Sequence, residues 1–244
     1  MYLSDHLIDQ AFTNRWYTCY YQPKVVPHLE KMTGVEALFR ISIPQQGVFS
    51  PAHFLERAFE LGYEEKIFFI VLEQALYEIK ALSPALNLAV NISKKVIENS
   101  CNLERIKELL WETSFPAHQL ILELSENDEI NDQLASKIQE FKMLGIKFSI
   151  DDFGVGYSNI EKVMNLNVDE VKFDKSLINN CGEKFTFLLK NLVIFCKEVG
   201  IRTVAEGVED AETCHYVHQL GFDSYQGFYF SKPVRPDDLR GLAI

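Results

Sequence analysis

Seven polar side chains lie at or directly after the ends of short apolar runs that recur along the chain. They are Asn91, Glu123, Asp151, Asp152, Lys172, Glu206 and Gln226. A further carboxylate, Glu36, lies inside an apolar run nearer the N-terminus. One carboxylate at a strand end is usually a cap, but a cap does not explain the whole series. Clustered carboxylates repel each other unless cations lie between them, and oxygen donors suit Mg²⁺ or Mn²⁺, so the pattern indicates metal-dependent chemistry.

The apolar runs predict short buried strands, with helical patterns in most of the gaps between them. Strands are predicted at 17–26 and 34–41, joined as a hairpin, and then at 86–90, 120–122, 147–150, 168–171, 202–205 and 222–225. Predicted helices include 65–82, 131–144, 157–165 and 183–199. Three units repeat a helix end, a glycine (Gly145, Gly200 and Gly221), a short strand and a polar residue. This repeat predicts parallel strands joined by crossovers.

About eight strands that alternate with helices predict a TIM-like (β/α)8 barrel of the α/β class, and a doubly wound open sheet is the alternative. The hairpin indicates that the first strand runs antiparallel to its neighbour. In such a barrel the active site lies at the carboxyl ends of the strands, so the polar residues are expected to converge on one rim. We predict an N-terminal helical extension at residues 1–16 and a single domain at residues 17–244.

Composition excludes several classes of protein. Of the 244 residues, 47% are hydrophobic, which predicts a globular core, and the formal net charge is −11. An acidic chain does not attract the phosphate backbone of long nucleic acids, so no such partner is expected. The five cysteines include no CxxC spacing, the N-terminus does not resemble a secretion signal, and the apolar run at 67–72 is too short to span a bilayer. We therefore expect reduced thiols, no membrane segment and a cytoplasmic location.

Eight ordered motifs between Tyr21 and Pro233 resemble those of the EAL family of cyclic di-GMP phosphodiesterases. They are Tyr21-Gln22-Pro23, Glu36-Ala37-Leu38 with Arg40, Asn91-Ile92-Ser93, Glu123-Leu124-Ser125-Glu126, the run from Asp151 to Ser158, Lys172-Phe173-Asp174, Glu206-Gly207-Val208-Glu209, and Gln226-Gly227 with Phe230-Ser231 and Pro233. One tripeptide alone would carry no weight, whereas the ordered set with compatible spacing is highly specific. The resemblance implies metal-dependent hydrolysis of cyclic di-GMP to linear pGpG, which lowers this second messenger in bacterial signalling.

The resemblance also implies roles in a two-metal reaction. The ligands of the first metal, Mg²⁺ or Mn²⁺, would be Glu36, Asn91, Glu123 and Asp151. Asp151 would bridge to the second metal, which Asp152 also binds, and Glu206 and Gln226 would hold metal-bound water. Lys172 would orient the attacking water or help to deprotonate it, because an ammonium group beside cations loses its proton more easily. Two cations about 3.5–4 Å apart activate water and stabilise the entering and leaving oxygens.

Further residues take substrate and loop roles from the same resemblance. The implied substrate contacts are Gln22, Leu38, Arg40, Asp174 and Pro233. Glu126 and Glu209 would support the loop from Phe153 to Asn159, and a homodimer is expected. Val155 replaces the threonine of the family's loop, while no departure removes an implied metal ligand.

Alternatives remain for both the residues and the function. Asp174 could cap a helix that begins near Ser176, Lys172 could neutralise Asp151 or Asp174, and Arg40 could be a solvated strand-end cation. The chain could also be a non-catalytic cyclic di-GMP receptor or protein-interaction module, or a different metal-dependent barrel hydrolase. The presence of every implied ligand and of the lysine favours the enzyme.

Overall fold

The chain forms a closed barrel of strands wrapped by helices. The computed structural model describes residues 2–26, 31–125, 131–153, 159–179 and 182–242, with the backbone alone for residues 159–162. The strands within these ranges are β1 Tyr17–Val26, β2 Lys31–Ile43, β3 Gly47–Phe49, β4 Asn87–Asn91, β5 Leu120–Ser125, β6 Lys147–Phe153, β7 Glu170–Phe173, β8 Arg202–Ala205 and β9 Ser224–Tyr225.

Closure of the barrel depends on β1, which runs antiparallel to both of its neighbours. It pairs with β2 along its whole length, from Tyr17 opposite Ile41 to Val26 opposite Lys31, and with β9 near its carboxyl end. The other neighbours around the ring, from β2 through β4 to β9, pair in parallel. The short β3 pairs with β2 as an antiparallel addition to the ring. The TIM-like barrel and its antiparallel first strand are thereby confirmed, and the open-sheet alternative is wrong.

Helices cover the outside of the barrel and connect its strands. In the described ranges they are α1 Asp5–Thr13, α2 Leu55–Glu60, α3 Glu64–Leu82, α4 Lys94–Glu98, α5 Ser100–Thr113, α6 Asp132–Met143, α7 Asn159–Leu166, α8 Lys175–Ile178, α9 Glu183–Glu198, α10 Ala211–Leu220 and α11 Pro236–Leu239. The helices predicted at 65–82, 131–144 and 183–199 agree with α3, α6 and α9 to within one residue at each end. Of the helix predicted at 157–165, residues 157 and 158 lie outside the described residues.

The repeated glycines end helices as their positions predicted. Gly145, Gly200 and Gly221 have φ angles of 89°, 77° and 84°, in the left-handed region that a residue without a Cβ adopts most easily. Each turn leads the chain from an outer helix directly into the next barrel strand. These glycines therefore help to place the polar residues that follow the strands.

Alternation along β1 separates the inside of the barrel from its helical cover. Tyr21 is fully buried, and its hydroxyl donates a hydrogen bond to Glu78 of α3 on the outside. Successive residues of a strand point to opposite faces, so Gln22 and Lys24 point into the barrel. Charged and polar side chains thus enter an interior that branched apolar residues fill in most barrels of this type.

The first helix packs against the rest of the fold. Ser4 caps α1, and Ile8, Ala11 and Phe12 are buried on its inner face. The ring of Phe12 stacks on that of Tyr63, with ring centres 4.0 Å apart. The boundary between an extension at 1–16 and a domain at 17–244 stays a prediction. Among the helices of the described ranges, none has both the length and the apolar composition needed to cross a membrane.

Candidate active site

Each of the seven parallel strands contributes one predicted site residue at the same rim of the barrel. They are Glu36 from β2, Asn91 from β4, Glu123 from β5, Asp151 from β6, Lys172 from β7, Glu206 directly after β8 and Gln226 directly after β9. The antiparallel β1 adds Gln22, which lies opposite Glu36 in the β1–β2 ladder. The convergence expected from the sequence is therefore present.

Lys172 lies at the centre of these residues. Its Nζ atom lies 2.9 Å from Asp151 Oδ1, 3.0 Å from Glu206 Oε1, 3.2 Å from Glu123 Oε2 and 3.3 Å from Glu36 Oε2. The lysine side chain is only 1% exposed, so water screens these ion pairs little. One ammonium group therefore contacts four carboxyl groups that come from different strands. The ion pair with Asp151 confirms the alternative in which Lys172 neutralises that carboxylate. The ion pair does not exclude a role of Lys172 in catalysis.

Hydrogen bonds orient the carboxylate of Glu36. Asn91 Nδ2 donates to Glu36 Oε1 at 2.9 Å, and Gln226 Nε2 donates to Glu36 Oε2 at 2.7 Å. The same Gln226 nitrogen lies 3.2 Å from Gln22 Oε1. The buried Oε1 of Gln226 accepts no hydrogen bond from any described residue. That oxygen is thus available to accept a hydrogen bond from a ligand or a water molecule.

Burial and charge shift the pKa values of the cluster in different directions. Burial alone would raise the pKa of Glu36, but the charges of Lys172 and Lys24 outweigh it and hold the pKa at about 2. For Glu123 and Glu206 burial dominates and raises the pKa to about 7 and about 8. Burial disfavours the charged form of Lys172, yet the surrounding carboxylates raise its pKa well above 10.5. The protein's own charges therefore keep Glu36 ionised and Lys172 protonated at neutral pH.

Two overlapping groups of carboxylates have the geometry to hold a cation. The first is Glu36, Glu123 and Asp151, and the second is Asp151, Asp152 and Glu206. Within each group the ligand oxygens all lie within 4.8 Å of one another. Asp151 belongs to both groups, which agrees with the bridging role implied for it. Sets of oxygen donors suit Mg²⁺ and Mn²⁺, so these residues fit divalent cations of that kind.

An irregularity in β6 allows two successive aspartates to reach the rim. Adjacent strand residues normally point to opposite faces of a sheet. The pairing of β6 with β7 shifts between Ile150 and Phe153, and Asp152 has a φ of 56°, which is uncommon for a residue other than glycine. The backbone amide of Asp152 also donates to Asp151 Oδ1 at 3.1 Å. This local distortion explains why the two carboxylates belong to one cation-binding group.

A close backbone contact holds the segment that carries Gln226. Val208 donates its backbone N–H to the carbonyl oxygen of Gln226 at 3.1 Å, and Gln226 donates to Ala205 at 2.8 Å. A Cβ atom on Gly227 would lie 2.0 Å from the carbonyl oxygen of Val208. A glycine at this position is therefore required, and it ties the residues after β8 to those after β9.

The residues implied to contact substrate lie around the rim with different surroundings. Arg40 is 9% exposed, so it is not a solvated cation as the alternative held. Its Nη1 donates to the carbonyl oxygen of Phe39 at 2.9 Å, and its guanidinium carbon lies 5.6 Å from the centre of the Tyr20 ring. Leu38 and Pro233 are half-buried. Their substrate roles stay predictions.

Asp174 caps a helix, as one interpretation of the sequence predicted. Its Oδ1 accepts a hydrogen bond from the backbone N–H of Ser176 at 2.8 Å, at the start of α8. The half-buried carboxylate has a second oxygen, so the cap does not exclude a substrate contact.

The loop that follows β6 is only partly described. Glu126 and Val155 lie outside the described residues, as do the other residues of 154–158. Glu209 is exposed, and its Oε1 lies 4.0 Å from Nζ of Lys175. The supporting roles implied for Glu126 and Glu209 therefore stay predictions.

Sequence reasoning missed a second charged layer that lies deeper in the barrel. Lys24 Nζ donates to Glu123 Oε1 at 2.7 Å and to Glu170 Oε1 at 2.8 Å. Glu170 Oε2 also lies 3.4 Å from Nη2 of Arg202. Lys24 is two residues after Gln22, and Glu170 is two before Lys172, so the strand period of two could have identified both.

Comparison with known sequences gives a consistent set of relatives. A sequence model described as the EAL domain matches residues 7–233. The chain is 31% identical to the bifunctional diguanylate cyclase/cyclic di-GMP phosphodiesterase MucR of Pseudomonas aeruginosa, over 96% of this chain and 35% of that protein. It is 30% identical to the cyclic di-GMP phosphodiesterase PdeR of Escherichia coli, over 94% of this chain and 36% of that protein. The chain thus spans about a third of the length of these two relatives.

Solved structures with the same fold cover nearly the whole chain. The phosphodiesterase PaMucR in complex with c-di-GMP superimposes with a TM-score of 0.88 at 30% identity, over 96% of this chain and 98% of that chain. An EAL domain protein from Listeria monocytogenes EGD-e superimposes with a TM-score of 0.89 at 29% identity, over 99% of this chain and 98% of that chain.

Proposed function

The chain belongs to the EAL domain family, and from that membership we propose that it hydrolyses cyclic di-GMP to linear pGpG. The observation that carries the proposal is the group of four carboxylates from different strands around the buried Lys172. A receptor needs only to bind the dinucleotide. Carboxylates arranged to gather cations are the groups that hydrolysis of a phosphodiester requires. The names of the relatives support the same substrate.

We propose that the first cation site consists of Glu36, Asn91, Glu123 and Asp151. Asp151 and Asp152 would serve the second site. Asn91 uses its Nδ2 to donate to Glu36, which leaves its Oδ1 as a neutral ligand that adds no repulsion. Mg²⁺ or Mn²⁺ would supply the positive charge that activates water and stabilises the entering and leaving oxygens.

Lys172 would orient the attacking water or help to deprotonate it. Without cations, the surrounding carboxylates raise its pKa, so that the side chain is protonated and can donate hydrogen bonds. The expectation of easier proton loss applies only when cations offset those carboxylates. Glu206 would accept a hydrogen bond from the same water, and so would Oε1 of Gln226, which accepts from no described residue. In the reaction the attacking water would lose one proton as its oxygen bonds to phosphorus, the bond from phosphorus to O3′ would break, and the released O3′ would take up one proton, so that one water is added in total.

The substrate would lie across the rim of the barrel. Arg40 would contact a phosphate, since its guanidinium keeps several N–H donors besides the one bound to Phe39. The other proposed contacts are Gln22, Leu38, Asp174 and Pro233. Glu126 and Glu209 would support the loop that follows β6.

Incubation with cyclic di-GMP tests this function. The protein is expected to convert the cyclic dinucleotide to pGpG when Mg²⁺ or Mn²⁺ is present, as separated by chromatography, and to stop when EDTA is added. Intact cyclic di-GMP that binds tightly would identify a receptor instead. Neither binding nor cleavage would show that the proposal is wrong.

We further propose that the protein forms a homodimer through α9. Phe187, Leu188 and Ile194 of this helix are 71%, 50% and 45% exposed, and Phe187 and Ile194 are seven residues apart on one face. Phe187→Glu is expected to convert a dimer to a monomer, because it places a charge in the apolar contact. Size-exclusion chromatography with light scattering measures the change.

The control for this variant is Trp111→Glu, at an exposed aromatic residue on α5. It is expected to leave the oligomeric state unchanged. A monomeric unsubstituted protein, or a Phe187→Glu variant that remains dimeric, would contradict the proposed interface.

We also propose a cytoplasmic location. Reduced cysteines are typical of that compartment. The cysteines among the described residues are all free thiols, which supports the proposal. They are Cys19, Cys101, Cys196 and Cys214.

A further inference from the structure

A buried ion pair lies beneath the proposed cation sites. Lys24 and Glu170 are 4% and 3% exposed and face the inside of the barrel. Apolar side chains fill this part of most such barrels, because an ion loses its hydration when it is buried. Replacing a buried ion pair with apolar residues of similar volume is often neutral or stabilising. Stability of the fold alone therefore does not account for this pair.

The contacts of Lys24 divide the two oxygens of Glu123 between two neighbours. Lys24 Nζ lies 2.7 Å from Oε1, on the inner side of the carboxylate. The other oxygen, Oε2, lies 3.2 Å from Lys172 Nζ, within the group of carboxylates at the rim. Because Lys24 holds one oxygen, the carboxylate cannot rotate freely about its terminal bond. The oxygen Oε2 is thereby directed to the proposed first cation site.

Glu170 in turn determines where Lys24 lies. Its Oε1 accepts from Lys24 Nζ at 2.8 Å, on the side away from the rim, and its Oε2 lies 3.4 Å from Arg202 Nη2. The flexible lysine is thus held between two carboxylates. Of these two, only Glu123 belongs to a cation-binding group of the described residues.

We propose that Lys24 is a positioning residue that holds Glu123 Oε1 and presents Oε2 to the first cation, with Glu170 as the anchor of Lys24. This inference rests on the proposed two-metal function. It leads to an expectation opposite to that of simple electrostatics. Removing a positive charge near a cation site should strengthen cation binding through Coulomb's law. Removing the contact by which Lys24 positions Glu123 should instead weaken cation binding.

Binding of Mn²⁺ alone, followed by the electron paramagnetic resonance signal of the free ion, separates these effects. The variants are Lys24→Met, Lys24→Met with Glu170→Gln, and Glu170→Gln as the control that keeps the contact between Lys24 and Glu123. Lys24→Met alone leaves the buried charge of Glu170 without Lys24. The double variant removes both charges of the pair, so it tests the positioning role of Lys24 even where the single variant fails to fold. Circular dichroism verifies the fold of each variant.

The folded double variant is expected to bind Mn²⁺ about 10–100-fold more weakly than the unsubstituted protein, which is the usual effect of losing a residue that orients a ligand. Glutamine keeps an oxygen that accepts from Lys24 Nζ and so preserves the anchoring contact, and Glu170→Gln is therefore expected to change the affinity by less than about threefold. Equal or tighter binding by the double variant would overturn the role of Lys24 while leaving the proposed function intact. Absence of Mn²⁺ binding by the unsubstituted protein would instead contradict the proposed function itself.

Discussion

Replacing Glu36 with alanine is expected to lower the rate of cyclic di-GMP hydrolysis by at least about 10³-fold, equivalent to about 4 kcal/mol of transition-state stabilisation. Among the described residues, Glu36 is the one carboxylate that accepts from both Asn91 and Gln226, at 2.9 Å and 2.7 Å, and its Oε2 also contacts Lys172. Its loss would remove a proposed ligand of the first cation and leave Asn91 and Gln226 without this hydrogen-bond acceptor. Initial rates at saturating Mn²⁺ measure the effect.

The matched control for Glu36→Ala is Glu112→Ala, on the exposed side of α5. It removes the same side chain far from the carboxylate group and is expected to retain full activity. Activity of a folded Glu36→Ala variant close to that of the control would contradict the assignment of Glu36 as a metal ligand.

Lys172→Met is expected to lower kcat by about 10²–10⁴-fold, the usual range for a group that assists proton transfer, with KM changed by less than about threefold. Methionine preserves much of the volume of the side chain but removes the ammonium group that touches four carboxylates. Without divalent cations the variant is expected to lose about 3–5 kcal/mol of stability, because buried carboxylates lose their counter-charge. Steady-state kinetics and thermal unfolding in EDTA measure the two effects.

Added Mn²⁺ is expected to restore much of the stability lost in Lys172→Met, since ligands that bind only the folded state stabilise it. Lys95→Ala, at a lysine on α4 whose side chain is 68% exposed, serves as the control and is expected to behave like the unsubstituted protein. A raised KM with an unchanged kcat would limit Lys172 to substrate binding and refute its role with the attacking water.

The rim of the barrel could be predicted from the sequence because each of its residues follows a local pattern. The buried strands are short apolar runs, and Asn91, Glu123 and Glu206 come at or directly after their ends. Parallel strands bring such positions to one edge of a sheet, so position along the chain was enough to predict that they converge. The antiparallel β1 was also predictable, since a hairpin reverses the direction of the chain.

The contacts between distant residues could not be predicted in the same way. Lys24 meets Glu123 and Glu170 across sequence separations of 99 and 146 residues. Neither residue follows an apolar run, so neither belongs to the series of polar strand ends that the sequence reveals. The positive φ of Asp152 has no sequence signal comparable to a glycine. These features depend on how strands register across the closed barrel, which local patterns do not encode.

The most direct test of the whole account is anomalous scattering from a crystal of the protein grown with Mn²⁺. Two peaks about 3.5–4 Å apart are expected at the barrel rim, the spacing of two-metal sites. One peak should lie among Glu36, Asn91, Glu123 and Asp151, and the other beside Asp151 and Asp152. A protein that cleaves cyclic di-GMP with Mn²⁺ while these side chains bind no ion would contradict the account.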